Sequence, residues 1–266
     1  MPLDNLPPIS TADATYSQFA PIYDLYKSVD DYGRAAELIL EIAALDGCRP
    51  VDVLDAATGT GNLAEQFARH GMSVWAFDYC DEMLDVARKK PSLSRATIFN
   101  ADMRHLPIFA ESFDLVTCWN DSMNYLLTLH DFRQAIQGFY ARMRSGAVLV
   151  FDLNTLNTYR AIAEGAVVYE TAAGSFTLRP KYNEIQAGRL FQYTLGQEYG
   201  TGMWRGDTEH NSIHTQRHYR VSEVTRVLKD AGFTRVQKRG IRSRNLFRAD
   251  GEQDFRKIVY SALRLP

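Results

Sequence analysis

The chain has 266 residues, enough for one large α/β domain or two small ones, and its 45% hydrophobic and 23% charged content is ordinary for a globular protein. With 30 Lys and Arg against 32 Asp and Glu the formal charge is −2, so no global field draws it to nucleic acid or to a membrane surface. Three cysteines without a C-x-x-C pair exclude a disulfide framework and a structural zinc site, no apolar run approaches the roughly 18–20 residues of a span, and the first residues lack a secretory-signal pattern, so the expected location is the cytoplasm.

In chain order, the first predicted helix lies in the second half of residues 16–45, where Ala35, Leu38, Ile39, Ile42 and Ala43 recur at helical spacing. Strands are then predicted at 51–56, 73–78, 96–101, 113–119 and 147–154, and helices at 62–71, 81–90 and 130–144. Short apolar strands alternating with helices predict a parallel sheet covered on both faces. The alternation breaks after Asn154, and Tyr, Thr, Val and Phe with glycine breaks over 166–220 predict an antiparallel insertion of about four strands. A helix at 222–233 and closing strands around 234–240 and 255–263 complete the reading. Residues 1–33 are expected to form an N-terminal lid, 34–155 with 221–266 the core, and 156–220 a β-rich cap.

The sequence VLDAATGTGNLA, Val53–Ala64, carries a glycine turn between the first strand and its helix. Its tail also fits G-x-G-x-x-G/A, a pyrophosphate-binding fingerprint. A pyrophosphate would, however, meet the like charge of Asp55, and Ala56, Ala57 and Thr58 separate strand from glycine where a dinucleotide loop has its first glycine at once. Three acids stand at successive strand ends: Asp55, Asp78 and Asp102. S-adenosylmethionine (SAM) has no phosphate and offers an amino group, a ribose diol and an adenine amine. Asp55 suits the first, Asp78 the second and Asp102 the third, with Gly59 and Gly61 allowing close backbone approach.

Over residues 35–155 and 222–263 the chain resembles the class I SAM-dependent methyltransferases, through VLDAATGTG, VWAFDYCDEML, NADMRHLPI and FDLVTCWNDSMNYLL. Ala57 stands where many members have glycine. The resemblance implies an α/β, Rossmann-like, seven-stranded and mostly parallel sheet whose last strand is antiparallel. SAM is then the cofactor and S-adenosylhomocysteine the product. Tyr23, Ala56, Tyr79, Met83, Met103 and Trp119 join Asp55, Gly59, Gly61, Asp78 and Asp102 as expected cofactor contacts.

The small-molecule branch is the nearer likeness, in particular glycine N-methyltransferase relatives and deoxyaminosugar N,N-dimethyltransferases. It rests on the tyrosine-bearing stretch Tyr16 to Leu25, the insertion after the fifth strand, Tyr125 in SMNYL and Arg244 in SRNLF. It implies a small-molecule acceptor oriented by Tyr16, Asn124 and Tyr125 and contacted by Phe19, Asn120, His210 and Arg244, with methylation of an amine favoured over a hydroxyl. The row His210, His214, His218 reads as a polar pocket wall or a solvent face rather than a metal site, and no metal is expected. The basic residues of 235–248 leave an RNA acceptor as an alternative, although the net charge opposes it. An NAD-dependent oxidoreductase and a non-catalytic SAM-binding protein stay open as well. No membrane partner is expected, and the oligomeric state is left open, a homodimer included.

Overall fold

The computed structural model describes residues 16–17, 19–107, 111–165, 167–172, 174–181, 183–198, 212–242, 245–249 and 251–265. Its centre is an eight-stranded sheet of β1 (Asp52–Ala56), β2 (Ser73–Asp78), β3 (Thr97–Asn100), β4 (Phe113–Cys118), β5 (Met143–Asn154), β10 (Thr234–Arg242), β11 (Asn245–Arg248) and β12 (Lys257–Leu263). The spatial order is β11-β10-β12-β5-β4-β1-β2-β3. The strands from β3 to β5 pair in parallel, and β12 runs antiparallel between β5 and β10. The expected class therefore holds, with one correction: eight strands replace seven. Asn245–Arg248 form β11, which pairs antiparallel with β10 and extends the sheet at its edge.

Side chains on these buried strands alternate between two helical layers because successive residues point to opposite faces. Val53, Val74, Leu115 and Val148 pack on one face with α2 (Tyr32–Leu45) and α3 (Asn62–Arg69) through Ile39 and Phe67. Leu54, Val116 and Leu149 pack on the other with α5 (Leu129–Arg142) and α7 (Val221–Asp230) through Phe132, Ile136 and Leu228. Between β2 and β3 lies α4 (Asp81–Arg88). Asp31 caps α2 by accepting from Arg34 N–H at 2.9 Å, and Thr128 caps α5 by accepting from Asp131 N–H at 3.0 Å.

After β5 the chain enters α6 (Leu156–Ala163), a helix that the sequence reading did not foresee, capped by Thr155. The expected four-stranded antiparallel insertion follows, in the order β6 (Val168–Thr171), β7 (Gly174–Pro180), β8 (Leu190–Glu198), β9 (Ser212–Arg217). Phe176, Phe191 and Leu195 of this small sheet bury against Tyr159 and Ile162 of α6 and against Phe19 and Tyr26. Tyr26 closes α1 (Ala20–Tyr26), which lies in the N-terminal segment. Asp24 ties α1 to the glycine turn, accepting from Thr60 Oγ1 at 2.5 Å and Asn62 Nδ2 at 2.9 Å, and lying 3.2 Å from Lys90 Nζ. Among the described residues, no helix is long and apolar enough to cross a membrane.

Chain order reverses between β1 and β4, the topological switch at which ligands bind in open α/β sheets. Gly61 caps α3 there in the left-handed region, φ 78°, and a Cβ on it would lie 2.8 Å from Leu93 Cδ1 and 3.1 Å from Ala87 Cβ. Gly61→Ala is therefore expected to cost about 1–3 kcal/mol, from the left-handed backbone and from overpacking. Ala57 also has positive φ, 53°, so Ala57→Gly is the opposite control and should leave stability equal or higher. Urea unfolding of both variants checks this; an unchanged midpoint in Gly61→Ala refutes the packing argument.

Candidate functional site

Asp55 is 2% exposed and is held at the switch by two hydroxyls, Thr58 Oγ1 at 2.6 Å and Thr117 Oγ1 at 2.7 Å. Thr117 is its register partner on β4, so one carboxylate joins the glycine turn to both strands. Burial pushes the Asp55 carboxyl up to about 6; the two threonine bonds oppose that rise, and the charge of Asp78 adds to it. Asp78 holds the other side of the turn by accepting from Gly59 N–H at 2.8 Å and Cys80 N–H at 3.0 Å. Beneath the turn is a crevice lined by Asp55, Thr58, Asn62, Trp119 and Asn120, with no Lys or Arg among the described residues. The buried carboxylate and the absence of lysine and arginine from this lining suit a cationic amino group better than a phosphate.

A larger cavity, about 440 Å³, opens beside it. Gly59, Asp78, Tyr79, Met83, Asp102 and Met103 line it, together with Tyr23, which reaches the crevice as well. Asp102 is not idle: the Arg104 guanidinium grips both its oxygens, at 3.0, 2.9 and 2.5 Å. Burial works against the Asp102 charge, but Arg104 outweighs it and holds the carboxyl below its ordinary value. One expected contact needs correction: Ala56 is fully buried in the core at the end of β1, and the cavity wall is Ala57. Trp119 lines the crevice and a second cavity, and Asn120 and Asp121, with left-handed φ of 59° and 55°, turn the chain immediately after β4.

The second cavity, also about 440 Å³, shares Tyr16, Tyr23, Asn120 and Tyr125 with the first. Tyr26, Lys27, Asn154, Tyr193, His214 and Lys257 are among its other walls. Tyr16 Oη donates to Tyr125 Oη at 2.8 Å, and Tyr125 Oη lies 2.6 Å from His214 Nδ1. Burial pushes both tyrosine hydroxyls well above their ordinary value. His214 is pushed down to about 3, first by burial and further by Lys27, against the pull of Asp121. Asn154 is 5% exposed, and its Oδ1 has no hydrogen-bond partner. Its orientation is set by the amide nitrogen, which donates to Gln216 Oε1 at 3.1 Å.

At the rear of this cavity an ion cluster anchors the turn after β4. Lys257 Nζ donates to Asp121 Oδ1 at 2.6 Å and Asp152 Oδ2 at 2.8 Å, Asp121 N–H donates to Asp152 Oδ1 at 3.1 Å, and Gln216 Nε2 donates to Asp121 Oδ2 at 2.7 Å. Sequence reasoning missed Asp121, Asp152, Lys257 and Asn154, which come together only through the pairing of β5 with β12 and the seating of β9. Two other expectations fail on packing. Asn124 is fully buried, its amide donating to Arg217 C=O at 2.8 Å and its oxygen accepting from Asn154 N–H at 3.0 Å, so it ties elements together and faces no acceptor. Phe19 is 1% exposed in the core between α1 and the cap. His210 and Arg244 lie outside the described residues; the histidine brought to the cavity is His214, for which the period-two spacing Ser212, His214, Gln216 was the available signal. No cluster that could hold a metal ion occurs among the described residues.

Residues 53–146 match the family described as methyltransferase domain. The chain is 27% identical over 231 residues to a Bacillus subtilis protein named "Putative methyltransferase YqeM", covering 82% of this chain and 86% of that one. Its fold is similar to a S-adenosylmethionine-dependent methyltransferase from Clostridium acetobutylicum, with TM-score 0.74, 23% identity, and coverage of 94% of this chain and 99% of that one. It is also similar to SAM-bound CalS10, an amino pentose methyltransferase from Micromonospora echinaspora involved in calicheamicin biosynthesis, with TM-score 0.64, 18% identity, and coverage of 89% and 93%. The match makes residues 53–146 a methyltransferase domain, the chain has the fold of SAM-dependent methyltransferases, and the site suits SAM as its cofactor.

Two consequences can be measured. A cation near Asp55 favours its ionised form, so SAM affinity should fall as pH drops through about 6, by up to about tenfold per pH unit. Calorimetry between pH 4.5 and 6.5 should show this slope in the wild type and its loss in Asp55→Asn; a flat wild-type profile separates Asp55 from the ligand. Lys257→Met leaves two buried carboxylates facing each other and should cost about 3–5 kcal/mol in chemical unfolding. A smaller loss than about 1 kcal/mol would show that the cluster is not structural.

Proposed function

We propose that the protein transfers the SAM methyl group to an amine of a small hydroxylated or otherwise polar molecule bound in the second cavity. The observation that carries the reading is the wall common to both cavities, where Tyr16, Tyr23, Asn120 and Tyr125 stand between the cofactor side and the cap side. Bound SAM supplies an electrophilic methyl on a sulfonium; the N–CH3 bond forms as the S–CH3 bond breaks, and sulfur keeps the electron pair.

The protonation of that wall favours nitrogen over oxygen. A hydroxyl acceptor must lose its proton to a base, whereas a neutral amine already carries its lone pair. The Tyr16 and Tyr125 hydroxyls are held protonated, and His214 is held neutral but with little basicity. The carboxylates of the cavity are engaged elsewhere: Asp121 and Asp152 with Lys257, Asp30 with Lys27 at 3.0 Å, and Asp31 with the Arg34 N–H at 2.9 Å. An amine entering this aromatic space is favoured in its neutral, reactive form by desolvation. The unpartnered Asn154 Oδ1 supports a substrate with a hydrogen-bond donor on its body, since buried acceptors are normally satisfied. The amino pentose named for CalS10 is a molecule of that description.

Incubation with methyl-labelled SAM and a panel of amino acids, alkylamines and amino sugars, each beside its hydroxyl counterpart, tests the reading by mass spectrometry. Label is expected on amines only. Label confined to the hydroxyl compounds overturns nitrogen as the target, and a Tyr125→Phe variant as active as wild type removes the shared wall from the reaction.

A further inference from the structure

Tyr16, Tyr125, His214 and Ser212 form one continuous hydrogen-bonded row, drawn from the N-terminal segment, the turn after β4 and the cap strand β9. His214 is 2% exposed and Ser212 7%, and Ser212 Oγ lies 2.7 Å from His214 Nε2. The imidazole is gripped from its faces as well. Tyr193 stacks on it at 5.0 Å with an interplanar angle of 5°, and Tyr16 meets it edge-on at 5.5 Å. Its ring cannot flip without breaking both hydrogen bonds, so its two nitrogens have fixed partners.

We infer that His214 is a positioning residue whose proton sits on Nε2, and that this tautomer turns the Tyr125 hydroxyl hydrogen away from the cavity so that the Tyr125 oxygen presents a lone pair to the acceptor. The direction follows from the chemistry of the two partners. A phenol is a far stronger hydrogen-bond acid than an alkyl alcohol, and an alkyl alcohol oxygen is the better acceptor. Tyr125 therefore donates to Nδ1, and Nε2–H donates to Ser212 Oγ. Tyr16 already donates to the Tyr125 oxygen, and Tyr193 of the cap also interacts with that hydroxyl, so at most one lone pair is left there and two on Tyr16. In this arrangement they are the acceptors that the two tyrosines offer at the wall they form between the cavities. With an amine as substrate, its N–H bonds point at these oxygens and its own lone pair is left for the methyl. The opposite tautomer would place an O–H there instead, and that hydrogen would compete for the nitrogen lone pair.

The groups around His214 keep this arrangement neutral. Tyr16, Tyr125 and Tyr193 are all held protonated by burial, Asp121 pulls the imidazole toward protonation, and Lys27 opposes it.

The amine in this scheme rests on the function proposed above, and the test separates the two. Nitrogen-15 NMR of histidine-labelled protein saturated with S-adenosylhomocysteine reads the tautomer without any acceptor, the His214→Gln spectrum assigning the signal among the six histidines. One neutral Nε2–H form is expected from pH 5 to 9, with a shift of the Nδ1 resonance in Tyr125→Phe. An Nδ1–H tautomer, or titration near pH 6.5, overturns the inference whatever the substrate. For the panel amine that takes most label, His214→Phe should lower kcat by about 10–100-fold with SAM Kd within about twofold, and the wild-type kcat profile should have no His214 inflection between pH 5 and 8. Unchanged kcat in His214→Phe also overturns it. If only hydroxyl compounds are labelled, the amine reading fails while an Nε2–H result leaves the wiring of the row intact.

Discussion

A carboxylate buried where the sheet changes direction holds the functional end of this molecule together. Asp55 sits where β1 and β4 lie side by side, and its two oxygens are taken by Thr58 and Thr117. A lone carboxylate in that position would be costly to ionise, and burial does raise its proton affinity. The two hydroxyls offset part of that cost and convert the acid into a clamp. Because Thr58 belongs to the glycine turn, the clamp sets where the Gly59 amide meets Asp78 and hence the shape of both the crevice and the larger cavity.

The second cavity depends on a second buried electrostatic device. Asn120 and Asp121 hold left-handed backbone conformations that are unfavourable for residues with a side chain, and Lys257 with Asp152 supplies the compensation. Gln216 of the cap strand bonds to the same Asp121 carboxylate. The turn after β4, the antiparallel strand β12 and the cap are thereby mechanically one unit. Any molecule that presses on the cap side of Tyr125 also presses on residues that shape the cofactor side. The common wall of Tyr16, Tyr23, Asn120 and Tyr125 is where these two halves meet.

Much of this was legible from local pattern. Alternating strand and helix periods determine the parallel sheet with helices on both faces, since a strand buried on two sides must be apolar at every position and a covering helix must be amphipathic. The glycine turn and the acids at three strand ends are local as well: each acid lies within two residues of a strand's last position. Aromatic and threonine-rich runs between glycine breaks likewise mark the cap as antiparallel β.

What the sequence alone could not decide is everything that depends on how distant elements seat against one another. Asn124 and Tyr125 are neighbours in a short 3-10 turn, yet Asn124 is consumed by backbone groups of the cap and β5 while Tyr125 faces both cavities. His210, His214 and His218 look equivalent as letters; the packing of β9 under Tyr193 and beside Tyr125 is what buries His214 at the wall. Lys257 lies 105 residues from Asp152 and 136 from Asp121, a separation that no periodicity can bridge. Residue type and spacing are local quantities and therefore determined the layers and the cofactor end. Side-chain direction at a junction of four elements is set by tertiary packing, and it alone decided which residues line the second cavity.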